Sequence, residues 1–137
     1  MAYMSQEKKA QLAVGIKAVL KKYGMKGTIG VNNHSTLVVN ISQGPLDIIG
    51  NMYEIAMTKP DSYYAREKLM PPTHFRVNEC WIERHYSGKV LEFMTELEVA
   101  VNIGNHDRSD IQIDYFDVGW FVNINIGKWD KPYRFVK

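Results

Sequence analysis

Cysteine is nearly absent from this sequence, since Cys80 is the single one among 137 residues. One thiol cannot form an internal disulfide, and it cannot build a zinc site made of cysteines. The chain is nevertheless long enough to bury a hydrophobic core without such cross-links. We therefore expect one domain spanning residues 1–137 in a reducing compartment, the cytoplasm.

Long hydrophobic runs and a strong net charge are also lacking. No stretch of about 18 apolar residues is present, which predicts no transmembrane helix and no membrane partner. The N-terminus MAYMSQEKKAQLAVG has no basic start followed by an apolar core, so we expect no secretory signal. The net charge of +2 neither requires nor excludes a nucleic-acid partner.

The common enzyme signatures are missing too. The chain contains no phosphate-binding glycine loop, no dinucleotide fingerprint, no serine-nucleophile elbow and no paired-histidine zinc motif. The four histidines are scattered, and no two have the spacing of metal ligands on a helix. Nothing positive argues for an enzyme, and we expect no cofactor.

Periodic patterns predict an α+β fold. Residues 5–23, 45–57 and 87–103 have the 3.6-residue apolar period of helices, with Pro45 expected at the first helical position. Residues 27–42 predict a hairpin with Asn33 at a positive-φ turn position, and residues 75–82, 111–115 and 120–126 predict further strands. The expected order is α-β-β-α-β-α-β-β. It predicts a mainly antiparallel sheet of about five strands, with about three helices on one face.

A long irregular connection, residues 59–72, is the first candidate binding site. Prolines bracket it, and Tyr63, Tyr64 and Arg66 lie between them. Tyrosine with arginine suits a contact surface for a protein or a stacking surface for an exposed base. The alternative is a short surface helix whose tyrosines pack inward.

An acidic loop is the second candidate. His106, Asp107 and Asp110 lie close together, and further aspartates follow at positions 114 and 117. Oxygen ligands with one imidazole would suit Mg²⁺ or Mn²⁺, although the spacing is not that of a calcium loop. Arg108 could pair with these acids, which weakens the metal interpretation. Whether the loop holds a metal stays open, and we take His106, Asp107, Arg108 and Asp110 as candidate binding residues.

Two further features bear on partners. The first predicted helix carries Lys17 and Lys21 among lysines spread around it, which would suit a nucleic-acid contact or a solvated face. Asn40, Asn123 and Asn125 are expected on the outer face of the sheet, where asparagine is uncommon. Such a face could be a recognition surface, or it could keep the sheet from associating with other sheets.

The stretch NHDRSDIQIDYFDVGWFVNINIGKWDKPYRF resembles the C-terminal part of small, mostly uncharacterised proteins of tailed bacteriophages. The N-terminal half, with IKAVLKKYG followed by HSTLVVNISQGP, is similar to a large polyvalent protein-associated domain of phages and conjugative elements. That domain has an Asp-Gly-Pro turn where this chain has Gln43-Gly44-Pro45. The resemblance carries over no catalytic residues. It implies action in an infected bacterial cytoplasm, by binding a host factor or assisting delivered DNA.

Three hypotheses follow from the sequence. The first is a phage-type accessory protein that binds a host or phage protein, in host takeover or counter-defence. The second is a nucleic-acid-binding module that uses the lysines of the first helix and the loop tyrosines. The third is a metal-dependent enzyme that uses the acidic loop, residues 106–117.

Overall fold

A computed structural model describes residues 3–78, 82–105 and 119–136 of the chain. The helices in these ranges are α1 Gln6–Lys22, α2 Ile48–Met57, α3 Tyr63–Glu67, α4 Ile82–His85 and α5 Gly88–Val101. The strands are β1 Lys26–Asn32, β2 Thr36–Gly44, β3 Phe75–Arg76, β4 Phe121–Ile126 and β5 Arg134–Phe135.

The strands form one mixed sheet in the order β1-β2-β4-β3, with β5 continuing beside β2. β1 is antiparallel to β2, and β3 is antiparallel to β4, whereas the central pair β2 and β4 is parallel. Parallel strands need a long crossover connection, and α2 to α5 lie within it. The predicted α+β class is confirmed, although the central pairing makes the sheet mixed.

Five helices are described where about three were predicted. Three are long, with 17 residues in α1, 10 in α2 and 14 in α5. The other two are short, with five residues in α3 and four in α4. None of the helices among the described residues is both long and apolar enough to cross a membrane.

The core lies between the helices and one face of the sheet. Alternate strand residues point into it because successive side chains of a strand project to opposite faces. The buried apolar side chains of β2 and β4 are Leu37, Val39, Ile41, Val122, Ile124 and Ile126, and they form one cluster with the buried residues of α1, α2 and α5. The other sheet face carries half-buried and exposed residues, including Asn40, Asn123 and Asn125, as predicted.

Two local predictions are confirmed in detail. α1 begins directly after Ser5, whose hydroxyl accepts a hydrogen bond from the Lys8 backbone N–H at 3.0 Å. In the hairpin, Asn33 and His34 have φ values of 54° and 59°. Positive φ at successive turn residues matches the twist of the flanking strands, which explains asparagine at this position.

The predicted start of the second helix is wrong. Pro45 is not its first residue, because β2 continues to Gly44 and α2 begins at Ile48. The Asp47 carboxylate accepts a hydrogen bond from the Gly50 N–H at 3.0 Å and caps the helix. Pairing of Gly44 with Phe135 of β5 keeps the preceding residues extended. A non-local strand contact therefore overrides the local proline signal.

The strand predicted at residues 75–82 is also wrong in extent. β3 contains only Phe75 and Arg76, and Ile82 is the first residue of α4. Cys80 lies outside the described residues, as does the strand predicted at residues 111–115. The strand predicted at residues 120–126 is confirmed in β4, with its alternate apolar residues buried.

Candidate functional site

The middle connection forms the short helix α3, which Ser62 fixes to α2. The Ser62 hydroxyl accepts a hydrogen bond from the Ala65 N–H at 3.2 Å and donates one to the Ala56 carbonyl at 2.6 Å. The helix ends at Glu67, and the following residue, Lys68, has a φ of 50° in the left-handed region. Because the hydroxyl proton is directed at a carbonyl of α2, Ser62 anchors the helix and is not an activated nucleophile.

A cavity of about 300 Å³ lies where α2, α3 and α4 meet, and we call it the α2–α3 pocket. Its walls are mainly apolar groups of α2 together with the aromatic rings of α3. The lining residues are Met52, Ile55, Ala56, Lys59, Ser62, Tyr63, Tyr64 and His85. An apolar pocket with a few polar groups at its edge is the usual form of a binding site.

The two tyrosines of α3 have different environments. Tyr64 is half-buried against the core, and its ring meets that of Tyr53 edge-to-face at 6.0 Å. Tyr63 is 61% exposed, and its ring lies 6.1 Å from that of Tyr64. Burial raises the pKa of Tyr64, and the neighbouring Tyr63 adds to this. Tyr64 therefore builds the wall of the pocket, and Tyr63 presents a ring to solvent at its mouth.

Arg66, the third candidate of this region, is exposed and does not line the pocket. Residues two positions apart on a helix project to different sides, so the Arg66 side chain points away from that of Tyr64. The structure thus brings together Tyr63 and Tyr64, and it leaves Arg66 on the outer surface of α3.

The polar edge of the pocket comes from residues that the sequence did not single out. The Lys59 ammonium donates a hydrogen bond to the Arg84 carbonyl at 2.9 Å, which holds α4 near the end of α2. Burial lowers the pKa of His85, and the positive charge of Lys59 lowers it further. The imidazole is therefore neutral near pH 7, and Lys59 is the charged group in the lining.

The sequence did contain one signal for this pocket. Ile48 and Ile55 widen the apolar side of the second helix beyond a normal stripe, which predicts either deep burial or a surface for a partner. Ile48 is fully buried, whereas Ile55 is half-buried and lines the pocket.

The acidic-loop candidates lie outside the described residues: His106, Asp107, Arg108 and Asp110, together with the aspartates at positions 114 and 117. Within residues 3–78, 82–105 and 119–136, no three His, Cys, Asp or Glu side chains are grouped to hold a metal ion.

The lysines of α1 have several different environments. Lys22 pairs with Glu96 at 2.7 Å, and the Lys8 ammonium lies 5.3 Å from the centre of the Trp120 ring. Lys17 and Lys21 are exposed. Lys22 therefore contacts α5, and Lys8 contacts Trp120, the residue that precedes β4.

Comparison of the chain with protein-family models, with curated proteins and with solved structures finds no match.

Proposed function

We propose that this is a small accessory protein that binds another protein in the bacterial cytoplasm through the α2–α3 pocket and the exposed ring of Tyr63. The observation that carries the proposal is the exposed Tyr63 ring beside an apolar cavity. Tyrosine is enriched among the residues that dominate binding energy at protein interfaces, and such residues surround or fill pockets on the partner.

The pocket is large enough to take one side chain of a partner protein. Ligand pockets have volumes of roughly 300–1,000 Å³. The α2–α3 pocket, at about 300 Å³, is at the lower end of that range and is suited to a single large apolar side chain. We therefore infer that a partner inserts one aromatic or branched aliphatic residue between α2 and α3.

The positive charge at the edge of the α2–α3 pocket indicates which residue of the partner should lie beside the inserted side chain. Lys59 provides one ammonium group, and the neutral imidazole of His85 adds no second charge. A carboxylate next to the inserted side chain would pair with Lys59 as the two surfaces approach. The expected motif in the partner is an apolar residue beside an aspartate or glutamate.

The cellular setting of the proposal comes from the resemblance to tailed-phage proteins. A phage protein in the host cytoplasm meets both host and phage proteins, so the partner belongs to one of these two groups. Binding that blocks a host protein would serve host takeover or counter-defence.

Site-specific photocrosslinking tests the proposal directly. A benzoylphenylalanine is placed at position 63 in one variant and at position 14 in another, and both are expressed in bacteria and irradiated. Val14 is exposed on α1 and does not line the pocket, so crosslinking from position 14 measures nonspecific contacts. We expect one dominant crosslinked protein from position 63 that is absent from position 14 and persists after nuclease treatment.

The captured partner is then purified and titrated against Tyr63→Ala. Truncation of an interface anchor is expected to weaken binding by about tenfold or more. Equal crosslinking from both positions, no crosslink from position 63, or an unchanged affinity for Tyr63→Ala would each refute a role of this pocket in protein binding.

A further inference from the structure

The five described strands contain no acidic residue, although the whole chain has 15 aspartates and glutamates. Their charged residues are Lys26, Arg76 and Arg134. These three basic residues give the described strands a positive charge, and a positive surface is one feature of proteins that bind polyanions.

The sheet face opposite the core, which we call the open face, presents a polar row across four strands. The register places Arg76 beside Asn125, Asn125 beside Asn40, and Asn40 beside Thr28. The Asn125 amide donates a hydrogen bond to the Asn40 side-chain oxygen at 3.0 Å. This bond orients both amides, and among the described residues the Asn40 NH₂ group and the Asn125 oxygen form no further side-chain hydrogen bond.

An exposed aromatic ring lies near each end of β4. Phe121, the first residue of β4, is 53% exposed and pairs with Thr36 on the open face. Trp129, three residues after β4 ends, is 82% exposed. A rise of about 3.3 Å per residue places the Phe121 backbone about 17 Å from that of Ile126, so the two rings lie near opposite ends of the strand.

Trp129 is held in a tight turn between two lysines. The Lys128 and Lys131 backbones exchange hydrogen bonds of 2.8 and 3.2 Å, and both side chains are exposed. Asp130 lies in the same turn and is also exposed, so the turn carries a net charge of +1. The ammonium groups of Lys128 and Lys131 are the groups of this turn that can contact phosphates.

We propose that the open face and the Lys128–Lys131 turn bind a single-stranded nucleic acid. Phe121 and Trp129 stack on bases, and Arg76, Lys128 and Lys131 contact phosphates. The amides of Asn40 and Asn125 hydrogen-bond to base edges. Exposed aromatic rings interleaved with basic groups are the usual construction of single-strand binding surfaces. This surface is separate from the α2–α3 pocket, and it does not use the exposed lysines of α1.

The polarity of the open face argues for nucleic acid over a membrane surface. A protein that lies on a membrane buries a broad apolar face among the lipids. Here the row across the sheet consists of amides, a hydroxyl and a guanidinium, which would lose their hydration in lipid without gaining partners.

Fluorescence anisotropy with a labelled oligothymidine of about 16 nucleotides, the upper end of single-strand site sizes, measures the binding. Phe121→Ala and Trp129→Ala are each expected to weaken it about fivefold or more, since stacking contributes at least that much per base. For the double variant K128A/K131A, the slope of log affinity against log salt is expected to fall by about 1.4, or about 0.7 per lost phosphate contact.

The double variant K17A/K21A removes the same charge from exposed positions of α1 and is the matched control. It is expected to leave the salt slope unchanged, and Tyr63→Ala is expected to leave oligonucleotide affinity unchanged. Thermal melts establish that each variant is folded; the Phe121 and Trp129 side chains are exposed, so these substitutions are compatible with folding.

Three results would overturn the inference. The first is that the wild type does not bind the oligothymidine at low salt. The second is that K128A/K131A and K17A/K21A lower the slope of log affinity against log salt equally. The third is that the protein binds only to vesicles of anionic lipid. None of them bears on Tyr63 crosslinking, so failure here and failure of the proposed protein-binding function are distinguishable.

Discussion

Replacing Tyr64 by alanine is expected to destabilise the protein by about 2 kcal/mol, whereas the same change at Tyr63 is expected to cost less than about 0.5 kcal/mol. The two residues are adjacent on α3 and chemically identical. Tyr64 is half-buried against the core and Tyr63 is 61% exposed, so only the environment differs.

The magnitude follows from the contacts of Tyr64. Truncation of a fully buried aromatic residue costs roughly 3–5 kcal/mol, and a half-buried ring loses about half of that. The edge-to-face contact with Tyr53, with an interplanar angle of 84°, accounts for about 0.5–1.5 kcal/mol of the total. The Tyr53 hydroxyl donates to the Leu69 carbonyl at 2.6 Å, so Tyr53 stays in place when its neighbour is removed.

Urea unfolding followed by far-ultraviolet circular dichroism measures both variants. The slope of the free energy of unfolding against urea concentration should stay constant, and only the midpoint should move. A loss below about 0.5 kcal/mol for Tyr64→Ala, or equal losses for the two variants, would refute the assignment of Tyr64 to the wall and Tyr63 to the mouth of the pocket.

Three further outcomes are expected. Asn51→Ala should lower the free energy of unfolding by about 1 kcal/mol, because the Asn51 amide exchanges two hydrogen bonds of 2.9 Å with Ser87 and so joins α2 to the start of α5. A urea titration measures this loss against Ser42→Ala, which removes a single exposed hydrogen bond to the Lys26 carbonyl and should cost less. Phe93→Ala should cost about 3–5 kcal/mol in the same assay, because its ring is fully buried beneath Tyr23, and a smaller loss would contradict its place in the core. The hydrogen bond from Tyr23 to Glu96 raises the pKa of Tyr23 from 10.0 to about 12. The unfolded chain therefore loses this proton first, and stability should fall as pH rises from about 10 to about 12. Tyr23→Phe should remove that part of the pH dependence, and urea midpoints that change equally in both proteins would contradict it.

Much of the secondary structure could be predicted because it depends on local patterns. The apolar period of α1 and the cap at Ser5 lie within one stretch of chain, as does the alternation of β4 from Phe121 to Ile126. The positive φ of Asn33 follows from the turn chemistry of asparagine. Predictions were wrong where a distant segment intervened, as when β5 keeps Gly44 extended and delays the start of α2.

The candidate site was predicted only in part. Tyrosines in a long connection indicated a contact surface. Because Tyr63 and Tyr64 are adjacent and identical, the sequence could not predict that Tyr64 packs inward and Tyr63 remains exposed. Lys59 and His85 were not singled out, because they join the pocket only when α4 packs against the end of α2.

The amino-acid sequence by itself determined the α+β class, the positions of the main helices and the hairpin, because local periodicity and turn chemistry specify these. Only the tertiary structure decided that β2 and β4 run parallel, that α2, α3 and α4 enclose a pocket, and that Arg76, Asn125, Asn40 and Thr28 form one row. Each of these features joins residues far apart in the chain. Their proximity depends on how the chain crosses over between β2 and β4, a choice that no local stretch encodes.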